Sequence, residues 1–144
     1  MKLVHSINII AGSKKAMEAK GYHNFSELYE YAKAHPYEVS VGMLTVTGAD
    51  GASLRQTLEG LSVNEVAYEM SSALVGGHID MMITGTDEIA GLIEAGDIVP
   101  LCAISEKRMK LYPDMQCTGE LGINSYIGTW RGLFAKKGTP QEAI

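Results

Sequence analysis

Apolar positions fall into short blocks, separated by glycines and by residues that cap helices. Leu3–Ile10 is β-branched and aliphatic, closes at Gly12, and predicts a strand. Ser13–Lys20 reads as a weak helical or loop stretch ending at Gly21. Asn24 with Glu27 three residues on has capping-box spacing, and Phe25, Leu28, Tyr31 and Ala32 share one helical face. That helix stops before Pro36, because the residue before a proline is pushed out of the α region. Glu38–Val46 reads as a buried strand, Thr47–Ser53 as a glycine-bearing loop, and Ser53–Glu59 as a short helix ending at Gly60. Ser62 and Glu65 form a second capping box, predicting a helix that stops at Gly76-Gly77. His78–Ile83 predicts a strand, and Thr84-Gly85-Thr86-Asp87 a loop. A helix carrying Ile89, Leu92 and Ile93 on one side then runs to Gly96, followed by a strand over Ile98–Ile104. Residues 105–124 read as a polar connection with one short helical piece near Glu120, and Ser125–Ala135 as a last strand.

This alternation predicts an α/β fold with a mainly parallel sheet flanked by helices, in one domain over residues 1–144. Ligands in such folds sit at the carboxyl ends of strands, where strand-to-helix connections gather. Loops 47–53 and 84–87 have that position. Thr139-Pro140-Gln141-Glu142 is a third capping box, with proline at the favoured first helical position. It announces a helix just before Ile144, so the expectation is a chain cut from something longer.

Composition narrows the function. Twelve basic and 17 acidic residues give a formal charge of −5 over 144 residues. That balance argues against a nucleic-acid partner. The longest apolar run, Ile98–Ile104, has seven residues and contains Pro100, whereas a membrane helix needs about 20. His5, Ser6 and Asn8 interrupt the N-terminal block, so no signal peptide is expected in this sequence. Cys102 and Cys117 lack CxxC spacing, and two unpaired cysteines outweigh a disulfide. The four histidines lack the i, i+4 spacing of a metal helix, so no metal or cofactor is expected. The eight methionines read as core filler.

The candidate chemistry is anion binding. Backbone N–H groups at a helix start attract carboxylates and phosphates. Thr47, Gly48, Ala49, Gly51 and Ser53 supply such a start, although an ordinary turn and cap explains them equally well. The loop is neither a P-loop nor a dinucleotide fingerprint, and Asp50 within it would repel a phosphate unless turned away. Thr84, Gly85 and Thr86 form a second such start, with Thr86 as a plain cap the simpler reading. Arg55 and Arg131 are the candidate cations, and Trp130 beside Arg131 reads first as core. No paired acid and base or activated nucleophile appears, which argues against an enzyme.

Several segments together resemble one family. They are Phe25-Ser26-Glu27-Leu28 with Tyr31-Ala32-Lys33-Ala34-His35-Pro36, then Ala73-Leu74-Val75-Gly76-Gly77-His78-Ile79-Asp80. Ile93-Glu94-Ala95-Gly96-Asp97 and Ser105-Glu106-Lys107-Arg108 follow, then Tyr112-Pro113-Asp114 with Thr118-Gly119-Glu120-Leu121-Gly122. Last comes Trp130-Arg131-Gly132-Leu133-Phe134-Ala135 with Gly138-Thr139-Pro140. In this order they resemble the substrate-binding receptors of tripartite tricarboxylate transporters, the Bug receptors. The resemblance implies a type II periplasmic-binding-protein fold, of which this chain matches the second lobe. It also implies capture of small di- or tricarboxylates outside the cytoplasmic membrane and delivery to membrane permease subunits, with a first lobe absent from this chain. Thr47–Ser53 and Thr84 fall at ligand-side positions. There are departures. Leu54 and Arg55 stand where the family has a histidine, and Lys136-Lys137 replaces an Ala-Pro pair. The stretch between Ser53 and Gly76 is short, so the sheet is expected to lack a strand. Two rival readings are a stand-alone domain that forms homo-oligomers through an exposed face, and an enzyme using loop 47–53 as an anion hole.

Overall fold

A computed structural model describes residues 2–67, 71–126 and 128–140, with residues 2–5 and 129–131 as backbone only. The first apolar block is two strands rather than one. β1 (Lys2–Ser6) pairs antiparallel with β8 (Thr129–Gly132) in a two-stranded ribbon, while β2 (Asn8–Ser13) enters the main sheet. A block that reads as one strand does not mark where the chain leaves one sheet for another.

Ser13 caps α1 (Lys14–Lys20) by accepting from the Ala16 amide at 3.4 Å, which makes the weak stretch a true helix. It ends at Gly21 with φ 77°, a left-handed cap that favours glycine. α2 (Phe25–Ala34) follows its capping box. Asn24 accepts from the Glu27 amide at 3.0 Å, and the Glu27 carboxylate reaches back to the His23 amide at 2.8 Å. Then come β3 (Ser40–Met43), α3 (Ala49–Thr57) and β4 (Asn64–Ala67). The second capping box therefore opens a strand, not a helix. Glu65 is held by Arg55, through Nε at 3.0 Å and Nη2 at 2.5 Å, and the Asn64 amide donates to Val39 O at 2.8 Å in the sheet. Because β4 is present, the expectation of a missing strand is corrected as well.

The remainder is α4 (Ser72–Gly76), β5 (Met81–Gly85), α5 (Thr86–Glu94), β6 (Ile98–Ala103) and β7 (Gln116–Cys117). Residues 118–122 form turns, not the helical piece expected near Glu120. The connection before β8 is tied down by buried hydroxyls. Thr118 donates to Ser125 O at 2.8 Å, and Thr57 donates to Ser125 Oγ at 2.9 Å.

The main sheet has the order β4-β3-β5-β2-β6-β7. β2 runs antiparallel to both neighbours and the other five strands share one direction, so the sheet is mainly parallel as expected. Alternate residues feed two cores. Ile10, Val41, Met81, Ile83 and Cys102 pack against Phe25, Leu28 and Leu54 on one face. Ile9, Ala11, Met82, Ala103 and Cys117 pack with Leu74 and Ile89 on the other. Met17, Met43, Met81, Met82 and Met115 are buried, as core filler should be. Cys102 and Cys117 are free and sit on opposite faces of the sheet. Among the described residues no helix is long and apolar enough to cross a membrane.

Two buried groups link this core to pH. Burial, reinforced by the nearby Asp80 charge, raises the Tyr22 phenol above its usual 10.0. Burial also raises the Cys102 thiol above its usual 9.0, with Cys117 and Glu120 adding to it. Both are held protonated in the fold and ionise more readily once it opens. Above those usual values the unfolded chain binds fewer protons, so stability falls as pH rises. The contribution is complete near pH 8 and is lost upward through the raised values, with a slope of at most about 1.4 kcal/mol per pH unit for each group. Urea titrations at pH 8 and 10.5 should show this loss, flattened in Tyr22→Phe and Cys102→Ala. Equal pH slopes in parent and variants would show that these two groups are not its source.

Candidate functional site

The sheet brings three chain segments to one edge. β3 and β5 are parallel neighbours, so their carboxyl ends emerge side by side. β2 runs the other way, which puts its first residue, Asn8, opposite Gly85 at the end of β5. Five residues separate β3 from α3, and α5 follows β5 with no loop between. Two helix N-termini therefore open onto one mouth. Gly48 and Gly85 are their N-caps, both extended, and neither start has a side-chain cap. The first amides of each helix are thus available to an anion, and the helix dipoles favour negative charge there.

The expected loop 47–53 is largely helix. α3 begins at Ala49, four residues before Ser53. The turn preceding it folds back onto Gly51, whose missing side chain leaves room for the Val46 carbonyl. Thr47 and Ala49 are exposed and Gly48 is half-buried. Ser53 is sealed at 0% exposure, with its carbonyl oxygen beside the Thr57 and Ser125 hydroxyls. Arg55 is committed elsewhere: its guanidinium grips Glu65 and donates to Val46 O at 3.0 Å. The second expected loop is a direct strand-to-helix junction. Thr84 is buried and donates to the Glu88 carboxylate. Thr86 is the first residue of α5 rather than its cap, because Gly85 holds that place. Trp130 and Arg131 lie in β8 against β1, and their side chains fall outside the described set.

Sequence reasoning missed a buried polar contact that joins β2 to the start of α3. Asn8 is 2% exposed and donates from Nδ2 to Asp50 Oδ1 at 3.0 Å. A lone amide inside Ile7-Asn8-Ile9-Ile10 was the available signal. Asp50 is turned toward β2, not away. Burial raises its carboxyl and the nearby Glu88 charge adds to that, while the Asn8 bond opposes them. No group of three or more histidine, cysteine or acidic side chains that could hold a metal occurs among the described residues.

The fold has known counterparts. The chain spans less than half the length of the relatives it matches, covering 40% of one and 48% and 49% of two others. A UPF0065 protein of Bordetella pertussis is 28% identical over 128 residues, or 84% of this chain. Rpa4515 of R. palustris, solved with adipate, matches 99% of the chain with a TM-score of 0.83 at 23% identity. MatC of Rhodopseudomonas palustris, solved with bound malate, matches 98% with a TM-score of 0.76 at 22% identity. At those identities the two structures establish the shared fold. The model of the tripartite tricarboxylate transporter family receptor matches residues 3–144. That family consists of solute-binding receptors rather than enzymes, which sets aside the anion-hole enzyme. By a match that runs from Leu3 to Ile144, this chain belongs to the tripartite tricarboxylate transporter receptors.

Proposed function

We propose that this chain is the second lobe of an extracytoplasmic receptor that captures small carboxylates, of the di- and tricarboxylate class, for a tripartite transporter. The observation that carries the reading is the pair of uncapped helix starts, α3 and α5, at adjoining carboxyl ends of β3 and β5. Amides at Ala49–Gly51 and Thr86–Glu88 bind the carboxylate, and the Thr84 side chain fixes the strand end beside them. A first lobe closes over the ligand, and membrane permease subunits receive it. Leu44, on the turn into α3, is 56% exposed, an apolar rim residue suited to cover by a facing lobe. The names of the relatives support the ligand class, since adipate and malate are small dicarboxylates.

One lobe buries only part of a ligand, whereas complete sites bury about 70–90% of it. The isolated 144-residue chain should therefore bind malate or adipate only at millimolar concentration. Amide NMR should place the response at residues 48–51 and 84–88. Micromolar affinity by calorimetry, or shifts confined to another face, would sink the reading.

A further inference from the structure

We infer that the far end of the β1–β8 ribbon, with the turn that follows it, is a docking surface for a bilayer bearing anionic lipids. The carboxylate reading uses none of these residues. Charge is spread unevenly over the chain. Residues 2–6 and 129–138 hold Lys2, Arg131, Lys136 and Lys137 and no acidic residue, in a chain with 17 acids and a formal charge of −5. Backbone register sets Lys2 opposite Gly132, the last residue of β8, and the chain runs on into Leu133 and Phe134. Leu133 is 62% exposed and Phe134 84%, the most exposed large apolar side chain among the described residues.

A defined turn presents the two lysines that follow. The Thr139 amide donates to Lys136 O at 3.0 Å, and the Thr139 hydroxyl donates to the same oxygen at 2.7 Å. Gly138 takes the left-handed conformation that such a turn needs, with φ 90°. Lys136 and Lys137 are exposed. The ion pairs among the described residues are Lys20–Asp80, His23–Glu27, Arg55–Glu65 and Arg108–Glu120, and they include neither lysine.

Large apolar side chains beside cations, with no acid among them, suit a membrane surface. The apolar groups enter the headgroup region while the lysines meet lipid phosphates. The overall negative charge does not oppose this, because the local patch decides at close range, within a Debye length. A second copy of this chain fits poorly, since it brings the same four basic residues and meets them as like charges. Docking leaves the mouth open. The other end of the ribbon, where Ser6 pairs with Thr129, meets Asp87 at the start of α5, and Lys2 lies about 13 Å further along the strand.

Flotation of the 144-residue chain with lipid vesicles tests this. At low salt, phosphatidylcholine vesicles with about 30% phosphatidylglycerol should bind about thirtyfold more tightly than phosphatidylcholine alone. Salt at about 0.5 M should remove most of that preference. Lys136→Gln with Lys137→Gln should cut it to about threefold. Phe134→Ser should weaken binding to both vesicle types about tenfold. These changes fall on exposed residues and should leave the urea midpoint of the parent unmoved. Failure to float with the anionic vesicles overturns the inference. Equal binding to the two vesicle types, or a preference that survives the lysine changes, also overturns it and gives the apolar pair to a facing protein surface. A dimer that forms with rising concentration, is lost in Phe134→Ser and ignores anionic vesicles overturns it too, and assigns the surface to a second copy.

Discussion

Asp80→Ala should destabilise the fold by about 3–5 kcal/mol, the cost of stranding one half of a buried ion pair. The Asp80 side chain is 7% exposed and meets Lys20 Nζ at 2.6 Å. Its other oxygen accepts from the Ser40 amide at 2.8 Å and from Ser40 Oγ at 2.7 Å. The Tyr22 hydroxyl approaches at 3.5 Å, and the Asp80 carbonyl takes the Ser13 amide at 2.8 Å. One residue thus ties the end of α1, the end of β2 and the starts of β3 and β5 together, at the edge of the sheet opposite the mouth. Alanine removes the carboxylate, leaving the Lys20 ammonium, only 25% exposed, with the Glu38 carbonyl alone and the Ser40 donors without their acceptor. Asp80→Asn keeps an acceptor for Ser40 and should fall between alanine and the parent. The surface pair Arg55–Glu65 is the control. Its arginine is 49% exposed, so Glu65→Ala should cost no more than about 1 kcal/mol. Urea denaturation of the three variants gives the ranking, and an Asp80→Ala loss no larger than that of Glu65→Ala would end the idea of a buried anchor.

Asp80 also marks where the sequence stops being legible. Its partners lie forty and sixty residues away, so no spacing announces them. Signals that act within a turn were legible: the Asn24 capping box, the stop before Pro36, and the left-handed cap at Gly77. The block alternation also gave the mainly parallel sheet and the edge where the mouth lies. Failures came where one local pattern fits two structures. Ser62-Val63-Asn64-Glu65 has helix-capping spacing, but Glu65 is taken by Arg55 from α3 and Asn64 by the β3 edge. The run through Ile10 carries no sign that β1 and β2 join different sheets. For the site, the two helix starts were visible as glycine-and-hydroxyl stretches. The Asn8–Asp50 bond was not, because it joins residues 42 positions apart across a strand and a helix.

Gly51→Ala should cost about 2–3 kcal/mol and disturb the mouth at once. Gly51 sits inside α3, where helix propensity alone says that alanine stabilises by up to about 1 kcal/mol. The surroundings reverse the sign. A Cβ there would stand 2.1 Å from the Val46 carbonyl oxygen and 2.8 Å from its carbon. These are backbone atoms, so no side-chain rotation relieves the clash, and the turn over residues 44–48 must move off the helix. Gly91 in α5 separates propensity from contact. A Cβ at Gly91 meets nothing within 4 Å, so Gly91→Ala should stabilise by up to about 1 kcal/mol. Opposite signs for two glycine-to-alanine changes, both inside helices, would isolate the Val46 contact as the cause. Amide shifts in Gly51→Ala should spread over residues 44–51, and ligand response at the α3 start should fall while that at α5 persists. A stable Gly51→Ala variant with an unmoved turn would mean that the close approach of Val46 is not what sets the start of α3, and with it the shape of the proposed anion site.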